Sequence, residues 1–284
     1  MTSRAHWPAV AIVGVGMIGG SVGKALRDRR LASRVIGIGR SEKSLTTAQQ
    51  AGCATEVATD IAAAADADLV VVAAGVAAIP ALLDAVDAVI RPGTLLTDAG
   101  STKASIVAAW ERSRRHRRGR FVGSHPIAGS HRRGPAAADG DLFAGRVTVV
   151  TPAKTTPQAD ADAIGDVWAA LGSTVYMMPP REHDRILAGT SHAPHLVAAA
   201  LAAATPPAAR TFTAGGWRDT TRIAAGDPEL WADILLDNAG AVGAAMQRFA
   251  TAVERLLAAI ERGDRRRLVE LLTRAKDSRD ALGS

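Results

Sequence analysis

Cysteine is nearly absent from this sequence: Cys53 is the only one in 284 residues. No disulfide can form within the chain and no cysteine-rich metal site can be built. A reducing compartment fits that usage, and a cytoplasmic location is expected. Aromatic residues are also scarce, at 4%, so the core must be built from Ala, Val, Leu and Ile, which suits helices packed on a parallel sheet. Long apolar runs are missing too. The stretches Leu69–Leu83 and Leu196–Ala204 are flanked by Asp66 and Asp68 or halted by Thr205-Pro206-Pro207, short of the ~20 residues that span a bilayer, so no membrane segment is expected. Residues 8–20 are apolar enough for a signal-peptide core but carry a glycine pattern and no cleavage site, so secretion is not expected. The formal charge of +6 would permit nucleic-acid binding, but much of the excess lies in Arg112–Arg120. No aromatics interleave there, so the run reads as a solvated helix end and loop, and no nucleic-acid partner is expected.

What is present is a rhythm. Short β-branched runs (residues 10–13, 34–38, 69–73, 94–97, 121–122, 147–151 and 174–178) alternate with helical patterns (18–29, 44–51, 79–90, 106–118 and 159–171). The expected fold is therefore α/β, an N-terminal doubly wound parallel sheet of the Rossmann type over residues 1–179. Beyond Pro179-Pro180 only helical pattern remains, predicting an all-α C-terminal domain over 180–284. It begins with a helix over 181–204. From Pro228 to Arg262, the positions Val242, Met246, Phe249, Val253, Leu256 and Ile260 step by fours and threes, a heptad-like seam. Gly263 ends that helix and Asp264 caps another. A long helical domain without a pocket of its own suits pairing of subunits, so a homodimer through these helices is expected.

Gly14-x-Gly16-x-x-Gly19 follows the first strand and opens a helix, the context that gives this pattern meaning. Gly14 permits a tight turn, Gly16 lets the backbone approach a pyrophosphate, and Gly19 allows close packing of helix on strand, with Met17 and Ile18 in the first turn. In NAD-binding versions an acidic residue ends the second strand. Here that place falls near Gly39, and Arg40 and Ser41 stand where a cation and a hydroxyl could hold a 2′-phosphate. NADP is preferred as the cofactor, with NAD the alternative. Ala74 and Gly75, after the third of these strands, and Asp98 and Gly100, after the fourth, complete the expected cofactor contacts.

Two further loops, Asp98-Ala-Gly-Ser-Thr-Lys103 and Gly123-Ser-His-Pro-Ile-Ala-Gly129, follow strands, at the edge where an open α/β sheet binds ligands. A histidine fixed between Ser124 and Pro126 suits a general base beside a nicotinamide ring. His183, His192 and His195 are spaced by nine and three residues, without the i, i+4 pair of a zinc-protease helix, so no metal is expected. Ser101 lies outside any Gly-x-Ser-x-Gly elbow, which argues against a hydrolase.

Together with Asp141-Leu142-Phe143, Thr151-Pro152, Ser191-His192-x-Pro194-His195 and Gly215-Gly216-x-x-Asp219-x-x-Arg222-Ile223-Ala224, these motifs resemble the prephenate/arogenate dehydrogenase family along nearly the whole chain. The resemblance implies an NAD(P)-dependent oxidoreductase of tyrosine biosynthesis that decarboxylates prephenate oxidatively to 4-hydroxyphenylpyruvate. Arogenate and an amino-substituted prephenate are the alternative substrates. It makes His125 the catalytic base, Ser101 the hydroxyl that orients it, and Arg222 the substrate-binding cation. It places His195, Ser191 and Gly215 around the side-chain end of the substrate, and His183, Asp219 and Trp231 at pocket or gating positions. Read from residue type alone, His192 is a packing residue, Trp231 serves core and site equally well, and Asp219 could simply pair with Arg222 or Arg218. His131 stands where many relatives carry an acid; a histidine does not favour the ammonium of arogenate, which leans the reading toward prephenate. The β-hydroxyacid and ketopantoate reductase types rely on a lysine in the helical domain, and Lys276 is the only one here after Pro180. A non-enzymatic cofactor-binding regulator is suggested by the charge run alone. The stretch after Gly263 is too short for the regulatory domain that some family members append, so tyrosine is expected to act, if at all, at the active site.

Overall fold

A computed structural model of the protein describes residues 6–112, 116–129 and 132–282. His131 lies outside them. The N-terminal part runs β1 (Trp7–Val13), α1 (Met17–Asp28), β2 (Ala32–Ile38), α2 (Glu42–Gln50), β3 (Glu56–Ala58), β4 (Leu69–Val72), α3 (Ile79–Val89), β5 (Leu95–Asp98), α4 (Ala104–Arg112) and β6 (Arg120–Phe121). The six strands are parallel, in the order β3-β2-β1-β4-β5-β6. The order reverses between β1 and β4, where such sheets bind their ligands. Both faces are covered, as the unbroken Val/Ile/Leu runs require. Val10, Ile12, Leu69 and Val71 pack with Val22 and Leu26 of α1, while Ala11, Val13, Val70 and Val72 pack with Leu83 and Val86 of α3 and Ile106 of α4. β3 has only three residues, too few for its alternation to stand out in sequence.

The strands that follow do not extend this sheet. β7 (Gly123–Pro126) pairs antiparallel with β8 (Val147–Thr151), which pairs parallel with β9 (Thr174–Met177), and α5 (Gln158–Ala170) lies between β8 and β9 in the chain. The stretch expected to be a loop around His125 is therefore a strand, in a separate three-stranded sheet. Phe143 and Trp168 are fully buried between the two sheets' elements, edge to face at 5.4 Å.

Helices then succeed one another: α6 (Pro180–Leu187), a π-helical turn (Ala188–His192), α7 (Ala193–Ala204), α8 (Gly215–Thr221), α9 (Pro228–Asp237), α10 (Ala239–Glu261) and α11 (Arg265–Asp280). Pro180 and Pro228 open α6 and α9 at positions where the missing N–H costs nothing. Asp227 caps α9 through the Glu229 amide at 2.8 Å, and Asp264 caps α11 as expected. Val242, Ala245, Ala188 and Ala193 form a small core. The seam on α10 loses its cover as it proceeds: Phe249 is 41% and Ile260 59% exposed, and Leu272 of α11 is 54% exposed.

Four expectations change. The helix predicted to reach Arg118 ends at Arg112 in the described residues. The helix expected from Pro228 to Arg262 breaks at Asn238 into α9 and α10. The arginine run is not simply solvated. Arg117 lies over the Trp110 ring at 4.4 Å and pairs with Asp84 at 2.6 Å, and Arg120 pairs with Asp160 at 2.5 Å, so acids from α3 and α5 neutralise part of it. Finally, among the described helices the continuous stretch Pro180–Ala204 is long and apolar enough to cross a membrane by length and composition alone, with a mean hydropathy of 1.3. Uninterrupted apolar runs had not revealed it because Gly, Thr and Ser dilute the pattern. Its polar residues His183, Asp184, His192 and His195 are nevertheless buried within the protein.

Candidate active site

The glycine turn is built as its spacing requires. Gly14 has φ +96°, and a Cβ there would lie 2.3 Å from the Ala73 carbonyl oxygen. A Cβ on Gly19 would strike the Gly14 carbonyl at 2.1 Å, whereas one on Gly16 would meet nothing within 4 Å. Helix packing thus forbids a side chain at Gly19, and open space in front of Gly16 leaves its backbone approachable. No side chain caps α1, so the first-turn amides of Met17, Ile18 and Gly19 remain available to an anion at its positive end. A cleft of about 570 Å³ runs from Gly14 and Gly16 past Ala74 and Gly75 on one side to Arg40 and Ser41 on the other. These features fit the pyrophosphate and adenosine of a dinucleotide. The Ser41 hydroxyl accepts the Ser44 amide at 3.3 Å as the N-cap of α2, and the exposed Arg40 guanidinium makes no hydrogen bond or ion pair among the described residues.

Along the carboxyl edge of the sheet, β2 carries Arg40, β1 the glycine turn, β4 Ala74 and Gly75, and β5 Asp98, with β7 next to β5. β7 is joined to the main sheet by side chains instead of a backbone ladder. Asp98 Oδ1 accepts the Ser124 amide at 3.1 Å, and Lys103 Nζ donates to the Ser124 carbonyl at 2.9 Å. The Ser124 hydroxyl donates to the Asp98 carbonyl and accepts the Trp168 indole N–H at 2.8 Å. Asp98 also accepts the Gly100 amide at 2.8 Å and forms a wholly buried ion pair with Lys103. Burial pulls the Lys103 ammonium below its usual value against the attraction of Asp98. Asp98, expected at the cofactor, is thus committed to holding the strand of His125.

His125 Nδ1 lies 2.9 Å from His183 Nε2, and His183 Nδ1 lies 2.8 Å from Asp184 Oδ1. The carboxylate of Asp184 also accepts the amides of Lys103 and Ala104, each at 2.8 Å, capping α4. These contacts fix the protons. A carboxylate only accepts, so His183 carries its hydrogen on Nδ1 and offers its Nε2 lone pair, to which His125 donates from Nδ1. The lone pair of His125 therefore sits on Nε2, the nitrogen left for chemistry. Burial, and then the neighbouring His183, Lys103 and His192, push His125 well below the ordinary histidine range, so its imidazole is neutral at physiological pH. Burial opposes ionisation of Asp184, but the hydrogen bonds from His183, Ala104 and Lys103 prevail and hold it below the usual carboxylate value. His183, expected at a pocket position, is fully buried with both nitrogens engaged; it supports His125 and has no atom free for substrate.

His195 stacks on Trp231 with ring centroids 3.6 Å apart at 13°, and its Nδ1 is buried with no partner among the described residues. Burial lowers its pKa. Trp231 is half-buried and meets His192 edge to face. Gly226 is squeezed between the stacked rings: a Cβ there would lie 2.5 Å from the Trp231 indole nitrogen and 3.2 Å from His195. Ser191 is half-buried in the π-helical turn, one residue before His192. Gly215 opens α8, and Arg222 starts a 3-10 turn that packs on α7, the helix of His195. Arg222 and Asp219 are exposed and form no ion pair with each other among the described residues, nor does Asp219 pair with Arg218. The half-buried Ser101 makes no hydrogen bond among them either. Two residues past His131, Arg133 pairs with Asp227 at the cap of α9, a bridge from the nucleotide-binding part to the helices. Asp184, Ser124, Lys103 and Asn238 escaped the sequence reading as site residues. The one signal for Asp184 was its place beside His183 in the first turns after Pro179-Pro180.

Residues 22–177 match the family model described as prephenate dehydrogenase, nucleotide-binding domain, and residues 179–274 match prephenate dehydrogenase, dimerization domain. The chain is 32% identical to a prephenate dehydrogenase of Bacillus subtilis over 96% of its length and 76% of that protein. It is 31% identical to a cyclohexadienyl dehydrogenase of Zymomonas mobilis, covering 96% of this chain and 95% of that one. The structure of an Aquifex aeolicus prephenate dehydrogenase in complex with hydroxyphenyl propionate and NAD+ superposes with a TM-score of 0.89 at 32% identity, over 97% of this chain and 98% of that one. With both halves matched in order, and a buried acid–histidine pair behind the histidine of its GSHPIAG motif, the chain belongs to the prephenate dehydrogenase family of nicotinamide-dependent oxidoreductases.

Proposed function

We propose that the protein oxidatively decarboxylates prephenate to 4-hydroxyphenylpyruvate, a step toward tyrosine, with His125 as general base. The observation that carries this reading is the chain Asp184–His183–His125, which leaves a neutral imidazole with its lone pair on Nε2. A bound nicotinamide supplies the hydride acceptor. His125 Nε2 takes the proton of the ring hydroxyl as the carbon bearing it is oxidised, and loss of the ring carboxylate as carbon dioxide makes the ring aromatic. The resulting imidazolium is shared through His183 with the Asp184 carboxylate. Ser101 hydrogen-bonds the same hydroxyl, Arg222 grips a substrate carboxylate with paired N–H donors, and the unpartnered Nδ1 of His195 meets the side-chain end. Ser191, Gly215, Asp219 and Trp231 border that end, and His131 is taken as a further substrate neighbour.

Gly14, Gly16, Met17, Ile18 and Gly19 would hold the pyrophosphate, and Ala74, Gly75 and Gly100 the path toward the nicotinamide. NADP is preferred over NAD, supported by the uncommitted Arg40 at the cleft and by Gly39 standing where an acid would contact the ribose. The working unit is a homodimer formed by the helical part, taken as residues 180–284 after a nucleotide-binding part of residues 1–179. The uncovered seam on α10 and α11 and the dimerization-domain match support it. A cytoplasmic location without nucleic-acid or membrane partners is part of the same reading; the single buried cysteine suits the location, and the pairing of Arg117 and Arg120 with acids leaves less bare positive charge for a nucleic acid.

The test follows the ultraviolet absorbance of reduced nicotinamide while prephenate and arogenate are crossed with NAD and NADP, with His125→Asn as control. Reduction with prephenate, lost by several orders of magnitude in the variant, supports the assignment. Turnover of arogenate alone moves the substrate, and no turnover by folded, cofactor-binding protein overturns it.

A further inference from the structure

Asn238 is the residue at which α9 and α10 part. Its backbone, at φ −105° and ψ 25°, is outside the helical region, although the sequence predicts one continuous helix from Pro228 to Arg262. A break there turns the side chain inward. Asn238 is 7% exposed, and its Nδ2 donates to the Asp184 carbonyl at 2.8 Å and contacts His192 Nδ1 at 3.2 Å. The amide can sit only one way round, because its oxygen against the Asp184 carbonyl would set two acceptors together. His192 therefore accepts at Nδ1 and keeps its hydrogen on Nε2.

Each contact leads to one half of the site. Asp184 holds His183 and, through it, His125. His192 meets Trp231 edge to face at 6.2 Å, and Trp231 carries the stacked His195. The π-helical turn Ala188–His192 inserts an extra residue between these groups on one helix, as such turns do at functional sites, and leaves their relative placement to be set from outside the helix.

We propose that Asn238 is a positioning residue that holds the base-bearing half of the site and the ring-stacking half in register from the start of α10. The reaction affected is the one proposed above, so the inference rests on that reading for its kinetic consequence. It does not rest on it for its structural one. Burial keeps His192 neutral, pushed down to about 4, so the amide meets an uncharged ring. Since α10 carries the exposed seam, the same residue links the surface that pairs subunits to the site.

Asn238→Asp keeps the size of the side chain and the helix break but replaces the donor with an acceptor. Nitrogen NMR of histidine-labelled protein reads the tautomer directly, without substrate. In the native protein the His192 hydrogen is expected on Nε2, and in the variant on Nδ1, facing the new carboxylate. The kcat/KM for substrate should fall about 10- to 100-fold, the scale of an ångström of misplacement, while the dissociation constant for NADP, whose adenosine half lies against Arg40 and the glycine turn of the same cleft, stays within about twofold of native. Asn238→Ala, which removes the donor without adding charge, should lower kcat/KM in the same direction. The proposal is overturned if His192 keeps its tautomer in Asn238→Asp, or if kcat and KM of both variants match native while only the melting temperature falls, which would make Asn238 a helix break and no more. If native protein turns over neither prephenate nor arogenate, the reaction assignment fails separately, and the tautomer still decides whether Asn238 governs His192.

Discussion

Asp184→Asn removes one charge from a carboxylate that is 5% exposed and accepts three N–H groups at 2.8 Å. A carboxamide has one acceptor oxygen and one NH2, so one of its two ends must turn a donor toward a donor. If the oxygen keeps Lys103 and His183, the NH2 faces the Ala104 amide and α4 loses its cap. If the oxygen keeps Ala104, the NH2 faces the Lys103 amide and donates to His183 Nδ1, forcing the His183 hydrogen onto Nε2. His125 must then accept at Nδ1 and carry its own hydrogen on Nε2, where it can no longer take a proton. Either way a buried amide loses a charge-assisted bond, at a cost of about 2 to 4 kcal/mol, or roughly 5 to 12 °C of melting temperature for a chain of this size. The catalytic loss is larger. Replacing the orienting carboxylate of a serine-protease triad lowers kcat about 10⁴-fold through a wrong tautomer. With one further ring in the chain, a fall of about 10² to 10⁴ is expected. The assay is steady-state reduction of cofactor well below the variant's melting temperature, with cofactor binding measured in parallel as evidence of a folded nucleotide site. A folded variant with kcat within about threefold of native would refute the proton assignment, because it would show that His125 needs no acid behind it.

Other outcomes follow from the same geometry. Arg40→Ala should weaken NADP by about tenfold, the worth of one charged phosphate contact, and leave NAD nearly unchanged, while Gly39→Asp should shift preference toward NAD; equal effects on both cofactors would remove Arg40 from the 2′-phosphate. Stability should fall on acidification. His192 titrates at about 4 when folded and near 6.5 when unfolded, so its neutral form is favoured by the fold, its contribution is complete above about pH 6.5, and it is lost as pH drops toward 4. The ceiling is about 3 kcal/mol from 2.5 pKa units, and urea melts at neutral and acid pH, compared with those of His192→Gln, isolate it; identical pH slopes would show that His192 contributes nothing. Ile260→Glu on the exposed seam should halve the mass seen in sedimentation, and an unchanged mass would put the subunit contact elsewhere. Gly19→Ala should abolish cofactor binding or folding, since its methyl would lie 2.1 Å from the Gly14 carbonyl.

Local signals carried the reading of the sheet. The β1 and β4 runs are apolar on both faces because both faces are covered, and Gly14, Gly16 and Gly19 encode turn, approach and packing within six residues. His125 could be picked out in the sequence as a candidate base, but its setting could not: residues 123–126 contain Gly, Ser and Pro, a turn composition that tertiary bonds from Asp98 and Lys103 override to make a strand. Asp184 and Asn238 stayed hidden for a related reason. Their partners lie 80 and 46 or more residues away in sequence, and nothing in a local pattern reveals what a polar side chain meets across a fold. The seam on α10 was visible, and the break at Asn238 was not: Asn is a common helix stop, but helical pattern resumes at once beyond it, and only its side-chain bonds to distant residues fix the break there.

The attachment of β7 through Asp98, Lys103 and Trp168 has a bearing on how such a protein changes over generations. Peptide groups are common to every residue, so a strand laced into a sheet by its backbone stays in place under nearly any substitution. A strand tied by particular side chains is encoded codon by codon. Selection can therefore shift or tilt the strand of His125 by altering a few residues at its junction with β5, while the far end of the cleft, at Arg40 and the glycine turn, remains as it is. The adenosine end of the cleft and the strand of His125 are inherited in one polypeptide yet held by different residues, so one can vary while the other is kept.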